Sequence, residues 1–376
     1  MFGSVQNLSF PDKLNRLSWP LVAVVMVTGL VGVVLLYSLG GLSFAPWAGP
    51  QLGRLLVGFA LMVLLGTVAV RIFWEYAYWF YLLTLLLLLL VEVMGQTGMG
   101  AQRWLQLGGM VVQPAELMKL GLILALSRYF NDLPHDDIGN ALKLIPPLLL
   151  LGMPAALVLM QPNLGTTLLL VATAGTLFWL AGVKWWKFAL LIVLAAAAMP
   201  VAWSQLHDYQ RQRVLTFLDP EADPLGTGYN IAQAKIALGA GGFFGRGLGS
   251  GTQSQLDFVP EIHTDFIFVV LAEEFGLLGT FALLLLYGSL ILYGWLLANN
   301  CRSHFSRLVA MGILANFFFS VAINLGMVSG LLPVVGLPLP LVSYGGTQLI
   351  TFMMGFGILL SVAAHREQRL HQNSLF

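Results

Sequence analysis

Charge is what this 376-residue chain has least of. Only 9% of it is Asp, Glu, Lys or Arg, against 58% hydrophobic residues, whereas soluble domains carry roughly 25% charge. That is too little to solvate a globular surface, so a soluble fold is excluded and an integral membrane protein is implied. Eighteen basic and seventeen acidic residues leave a net charge of +1. No basic face remains to neutralise phosphates, which argues against a nucleic-acid partner. The single cysteine, Cys301, excludes a disulfide framework. The six histidines are scattered, without metal-ligand spacing. There is no fixed-period repeat and no low-complexity tract, and the chain reads as one domain, 1–376. No cleavable signal peptide is apparent. The first apolar run, Trp19 to Leu39, is long enough to span and reads as an uncleaved anchor.

What the chain has in abundance is long apolar runs. A span takes about 20 apolar residues. Such runs fall near 18–38, 52–70, 75–94, 114–130, 144–160, 165–183, 186–203, 265–298, 308–330 and 346–364. The expectation is an all-α polytopic membrane protein of about ten transmembrane helices. The run over 265–298 is too long for one straight span, and Gly276 and Gly279 mark where it breaks or tilts.

Lys and Arg set the orientation. With both termini cytoplasmic, Lys13, Arg16, Arg71, Arg128, Lys143, Lys184, Lys187, Arg302, Arg307, Arg366 and Arg369 fall inside, and the short outer loops hold little beyond Arg54 and Arg103. Cys301 is then a free thiol on the reducing side. One long connection, about 204–264, is left outside. Loops of that length are usually functional or disordered. Tyr209, Phe217, Tyr229 and Phe258, with the periodic piece Ile231 to Leu238, predict a loop that is partly helical and ordered against the bundle.

Candidate chemistry gathers in that loop and at its exit. The loop holds Asp208, Arg211, Arg213, Asp219, Glu221, Asp223, Lys235, Arg246, Asp257 and Glu261, and ends on His263-Thr264-Asp265. After Asp265 the residues Phe266 to Ala272 are all apolar, so this carboxylate lies at headgroup depth. Partial desolvation there disfavours the charged form of a carboxylate, as a general base requires. The competing reading makes Thr264 or Asp265 a helix cap, and the sequence leaves both open. Glu116 and Lys119, three residues apart in the fourth run, share a helix face. They either neutralise each other or wall a polar cavity under a substrate. Pro114 suits a first helical turn. Arg103 and Trp104 just before it are placed to meet a phosphate and a sugar or lipid face, although Trp104 alone also fits an interfacial belt.

Glu273 and Glu274 cannot share a face, so one is expected to point into the bundle, towards Lys119. Asn316, Ser320 and Asn324 form a stripe at spacing four, suited to interhelical hydrogen bonds. Gly239 to Gly251 lacks the Lys-Ser/Thr ending and the preceding strand of a phosphate loop, which leaves a turn or a backbone anion nest beside Arg246. Leu331 to Tyr344, broken by Pro333, Gly336, Pro338 and Pro340, cannot be a regular helix. It reads as a re-entrant loop beside the active face.

These residues resemble the SEDS (shape, elongation, division, sporulation) family of bacterial cell-wall synthesis over nearly the whole chain. The resemblance rests on Arg103-Trp104, on Gln113-Pro114-Ala115-Glu116 with Lys119, and on Gln161-Pro162-Asn163-Leu164-Gly165-Thr166. It continues through Asp219-Pro220, Gly228-Tyr229-Asn230, Gly251-Thr252-Gln253-Ser254-Gln255-Leu256, Pro260-Glu261, His263-Thr264-Asp265 and Glu273-Glu274. It closes with Pro333 to Ser343-Tyr344-Gly345-Gly346. Gln253-Ser254-Gln255-Leu256 and Leu337-Pro338-Leu339-Pro340-Leu341 favour the RodA-like elongation branch. Asn163 stands where the family often has Asp, and Thr347-Gln348 where it has Ser-Ser or Thr-Ser.

The resemblance implies a peptidoglycan glycosyltransferase that polymerises lipid II, an undecaprenyl-pyrophosphate-linked disaccharide, on the outer face of the cytoplasmic membrane. It makes Asp265 the essential residue and gives Glu116 and Lys119 a part in function. Arg103, Arg211, Arg213, Arg246 and Lys119 are the candidate cations for the pyrophosphate. Trp104, Glu261, His263, Thr264, Glu273, Ser343 and Tyr344 are the further candidates to line the site. No cofactor is required, although a divalent cation, Mg or Mn, is compatible. The implied partners are lipid II, the lipid-linked glycan strand, a class B penicillin-binding protein, and elongation-complex membrane proteins such as MreC and MreD. The competing class is a lipid II flippase, which ten spans and midplane charges would also suit.

Overall fold

The structure, a computed structural model, describes residues 10–98, 101–107, 110–205, 211, 227–251 and 261–368. It is a helical bundle. A short helix α1 (Phe10–Asn15) precedes α2 (Trp19–Leu39), α3 (Ala48–Gly66) and α4 (Val70–Met94). Then come α5 (Pro114–Asp132), α6 (Ala141–Met160), α7 (Leu164–Ala181) and α8 (Trp185–Gln205). The series ends with α9 (Thr227–Ala240), α10 (Ile267–Asn299), α11 (His304–Val328) and α12 (Gly346–Ala364). All ten expected spans are helices. Among the described residues eight are long and apolar enough to cross a membrane. The other two are α8 and α5, the latter diluted by Glu116, Lys119, Arg128 and Asp132. Within the long loop, α9 covers the periodic piece expected to be helical.

Local chemistry sets the ends of several elements. Pro20 and Pro114 open α2 and α5, where a missing N–H costs nothing. The Asn163 side chain accepts from Thr166 N at 3.3 Å and caps α7, which is what this position does in place of Asp. α7 stops at Gly182, whose φ of 109° suits only glycine. α3 starts at Ala48, four residues before the expected limit, so Arg54 lies in its second turn and not in a loop. An unexpected three-stranded antiparallel sheet joins α4 to α5: β1 (Gln96–Gly98), β2 (Ala101–Leu107) and β3 (Met110–Val112).

α11 lies at the centre, packed on α5, α7, α10 and α12, while α3 runs beside α12 and α4 beside α5. The sheet, the α6–α7 turn, the entry to α10 and the segment 329–345 share one end of the bundle, called here the loop end.

α10 is 33 residues long. Straight, it would measure about 50 Å, against a hydrocarbon core of about 30 Å. It breaks at Gly276, whose φ is 65°, one of the two glycines expected to mark the interruption. The glycine-rich segment repairs the break. Arg246 N and Gly247 N donate to the carbonyls of Glu273 and Glu274 at 3.0 and 2.9 Å, and Leu277 N and Leu278 N donate back to Gly242 and Phe243 at 3.0 and 3.2 Å. Gly249 N donates to the Glu274 carboxylate at 3.2 Å and to Ser38 Oγ at 3.0 Å. The N–H groups of Arg246, Gly247 and Gly249 are therefore taken by α10 and α2. They form a seam, not the anion nest that the sequence allowed.

The same seam bears on the two glutamates. Both are buried, Glu273 at 0% and Glu274 at 1% exposure, because the glycine-rich segment covers the side of α10 that would otherwise lie open. Glu274 Oε1 accepts from Ser38 Oγ of α2 at 2.5 Å, and Lys119 Nζ lies 2.7 Å from Glu116 Oε2. A Cβ on Gly276 would meet Gly245 N at 2.4 Å and Phe243 O at 2.7 Å, both backbone atoms. Gly276→Ala is therefore expected to cost about 2–3 kcal/mol through strain and clash. It should appear as a lowered Tm in detergent, and an unchanged Tm would contradict the seam.

Candidate active site

Asp265 sits in a turn, Glu261 to Phe266, that delivers the chain into α10. Helix geometry starts at Ile267 with Phe266 in the cap position, one residue after Asp265. The turn is tied from within by Asp265 N donating to Glu261 O at 3.1 Å and by Thr264 Oγ1 donating to Glu261 O at 3.1 Å and Oε2 at 3.2 Å. Asp265 remains half-exposed while Phe266 and Ile267 beside it are buried.

The wall facing this turn is the segment 329–345, irregular as expected, with Leu337, Leu339, Leu341 and Val342 all buried. Its packing needs two glycines. Gly32 of α2 lets the backbone of Val342 approach so closely that a Cβ would lie 2.3 Å from its carbonyl oxygen. Gly336, with φ 68°, faces the carboxylate: a Cβ there would stand 3.4 Å from Asp265 Oδ2.

Three clasps fasten wall to turn. Ser343 Oγ accepts from Leu339 N at 2.7 Å and donates to Thr264 O at 2.5 Å. Tyr344 N donates to His263 O at 2.9 Å. The Asn324 amide of α11 donates to Asp265 O at 2.9 Å and to Leu337 O at 2.7 Å.

Asn324 shows where the stripe on α11 departs from expectation. Ser320 Oγ donates to Asn316 O of its own helix at 2.7 Å, and Asn324 bonds two non-helical carbonyls, so neither acts between helices. Irregular buried backbone has orphan carbonyls to satisfy, and these attract the amide more than a neighbouring helix does. Asn324→Leu should leave both carbonyls unmet, at about 1–3 kcal/mol, and loosen the turn. At least a tenfold loss of the activity implied by the family resemblance is expected, since small misplacements of reacting groups are expensive. Activity equal to wild type, assayed on purified protein, would remove Asn324 from the site.

α3 supplies the third side. Trp47, Gln51 and Arg54 recur at i, i+4 and i+7 and so share one face. Gln51 Nε2 donates to Ser343 O at 2.9 Å. Trp47 stacks on His263 with centroids 4.1 Å apart, and Tyr344 stands edge-on to both, at 5.1 and 5.9 Å. The Arg54 guanidinium lies 4.6 Å from the Tyr344 centroid. Burial pushes the His263 pKa below its usual value, against a smaller opposing pull from Glu261. The ring is therefore neutral at neutral pH and stacks on Trp47 uncharged.

The remaining candidates are positioned differently. Glu116 and Lys119 lie in the first turns of α5, with Lys119 Nζ 2.7 Å from Glu116 Oε2 and 5.5 Å from the Phe352 centroid. At 4% and 2% exposure they form the self-neutralising pair. Arg103 Nε donates to Gln161 O at 3.0 Å, and its Nη2 bonds Pro162 O, which pins β2 to the α6–α7 turn. Trp104 is half-buried in β2. Arg246 is exposed and bonds Ala240 O through Nε at 3.3 Å. Its own N–H pairs with Glu273, eight residues beyond Asp265, or about 12 Å along a helix. Arg211 is half-buried, and Arg213 lies outside the described residues. Thr347 Oγ1 accepts from Gln113 N at 3.1 Å and Gln348 Nε2 donates to Pro338 O at 2.9 Å, so both residues that depart from the family pattern brace this end. Among the described residues no three His, Cys, Asp or Glu side chains converge as a metal-ligand set.

Comparisons with known proteins agree with this architecture. The FtsW/RodA/SpoVE family, described as "Cell cycle protein", matches residues 17–368. The peptidoglycan glycosyltransferase MrdB of Escherichia coli K12 is 45% identical over 84% of this chain and 85% of its own length. The probable peptidoglycan glycosyltransferase FtsW of Coxiella burnetii is 38% identical over 83% and 84%. Among solved structures, one described as "Structural coordination of polymerization and crosslinking by a peptidoglycan synthase complex" superposes with a TM-score of 0.82 at 36% identity, covering 94% of this chain and 99% of that one. The rod shape determining protein RodA of Thermus thermophilus superposes at 0.71 with 32% identity, covering 94% and 98%.

The fold and its acidic turn are those of a polytopic helical membrane enzyme. The chain belongs to the FtsW/RodA/SpoVE family, that is, to the SEDS proteins, and is RodA-like within it. It is a glycosyltransferase of peptidoglycan synthesis.

Proposed function

We propose that the enzyme polymerises lipid II into glycan strands at the outer face of the cytoplasmic membrane during cell elongation, with Asp265 as general base. The observation that carries the reading is the setting of Asp265. It is a half-exposed carboxylate at the end of an apolar helix, with the space beside it kept open by Gly336 and its turn clasped by Asn324, Ser343 and Tyr344. In the reaction Asp265 takes the proton of the acceptor sugar 4-hydroxyl as that oxygen bonds to the anomeric carbon of the lipid-linked strand. The bond from that carbon to the pyrophosphate breaks, and undecaprenyl pyrophosphate leaves. An α-linked donor gives a β-linked product, so one displacement with inversion is enough and no covalent intermediate forms. The departing pyrophosphate requires positive charge already in place.

Orientation follows from the cations. Lys13, Arg16, Arg71, Lys143, Lys184, Lys187, Arg302 and Arg366 gather at the end opposite the loop end, which supports a cytoplasmic placement of that end and an outer placement of the acidic turn. A class B penicillin-binding protein is the proposed partner, supported by the similarity to a synthase complex that couples polymerization to crosslinking. MreC and MreD follow from the elongation assignment. No step is routed through a divalent cation.

Purified protein given fluorescent lipid II, with and without the partner, tests the reading. Long glycan products are expected. Redistribution of lipid between leaflets without products would make the chain a flippase, and neither outcome would make it a scaffold.

A further inference from the structure

The cations nominated from the sequence are largely committed elsewhere. Lys119 is neutralised by Glu116 at 2.7 Å, Arg103 is spent on two backbone carbonyls, and Arg246 is tied to the glycine-rich seam. A different guanidinium stands in the wall of the acidic turn. Nη1 of Arg54 is buried and has no hydrogen-bond partner among the described residues, and no carboxylate among them pairs with this side chain. Its guanidinium carbon lies 4.6 Å from the Tyr344 centroid. Tyr344 is in turn bonded through its N–H to His263, two residues before Asp265. A Cβ on Gly346 would lie 3.3 Å from Arg54 Nε, so the absence of a side chain there leaves the guanidinium its room.

A buried charged donor with no acceptor is costly, and native proteins keep such a group where strain, function, or a bound water, ion or ligand accounts for it. The fork of N–H donors on arginine fits two oxygens of a phosphate at once. Stacking on an aromatic face adds attraction while leaving the in-plane N–H groups available to a ligand.

We infer that Arg54 is the diphosphate-binding residue of this site, holding the lipid-linked pyrophosphate beside the base, an inference that rests on the glycosyl-transfer reading above. Sequence placement alone hid it, because Arg54 reads as a boundary cation. Its spacing from Trp47 and Gln51 was the available signal.

The test compares farnesyl diphosphate with farnesol, which shares the tail and lacks the diphosphate, as ligands of the full chain in lipid nanodiscs. Arg54→Met is expected to weaken farnesyl diphosphate at least tenfold and to leave farnesol unchanged. Arg54→Lys, which keeps the charge and loses the fork, should fall between. If Arg54→Met discriminates between the two ligands as wild type does, or loses both alike, the inference is overturned; the latter result would make Arg54 a structural lock. If Arg54→Met does not fold, Arg54→Lys decides: full wild-type discrimination overturns the inference, and a partial loss confined to the diphosphate supports it. Because binding is read without turnover, failure here leaves the polymerase reading standing. Absence of glycan from wild-type protein would remove that reading separately.

Discussion

Asp265→Asn is expected to fold, insert and bind as wild type does, and to make glycan strands at least 10²- to 10⁴-fold more slowly, the range lost when a positioned base is removed. The bonds that shape the turn are made by the backbone of residue 265, whose N–H donates to Glu261 O and whose carbonyl accepts from Asn324. An amide side chain leaves those bonds intact and keeps the volume beside Gly336, while losing the affinity for a proton. Gly336→Ala should reproduce part of the defect, because its methyl would sit 3.4 Å from Oδ2 and alanine does not favour φ 68°. Strand synthesis by Asp265→Asn at the wild-type rate, measured on gels with labelled lipid II, would falsify the assignment of the base.

The second large effect is on stability. Lys119→Met or Glu116→Leu alone should destabilise by about 3–5 kcal/mol, since each strands its partner as an uncompensated buried charge. The double variant should recover most of that loss, because an apolar pair of similar volume often replaces a buried ion pair at little cost. Thermal unfolding of the two single variants and the double variant gives the coupling directly. Additive losses would show that the pair, despite its 2.7 Å separation, is not what holds α5 in place. If the double variant is stable yet polymerises slowly, the pair also has a part in the reaction.

Much of the bundle was readable because bilayer thickness imposes a length on every apolar run, and the ten helices fall where those runs are. The break at Gly276 was readable for the same reason: 33 helical residues exceed what one straight span needs. The proline-rich segment before Tyr344 was readable because its prolines forbid a regular helix. The sheet between α4 and α5 was not, because three short strands in a connection of under twenty residues leave too weak an alternation beside their apolar neighbours.

At the site, residue type and depth singled out Asp265, and the family resemblance added Ser343 and Tyr344. Periodicity found the face of α11 bearing Asn324, but not what that face meets, since a stripe fixes direction and not neighbour. The cations were the least legible. A positive charge in a sequence gives no sign of whether a carbonyl or a glutamate has already claimed it, and Arg103 and Lys119 were claimed in those two ways.

The glycine-rich seam has a consequence for control. It stitches residues 242–249 to both sides of the interruption in α10, and α10 begins at the acidic turn. The glycine-rich segment and the turn are therefore joined through one stretch of α10, Ile267 to Glu274. If a ligand of the turn and a partner of that segment each favour one arrangement of the stretch, thermodynamic linkage makes their effects on each other equal in size.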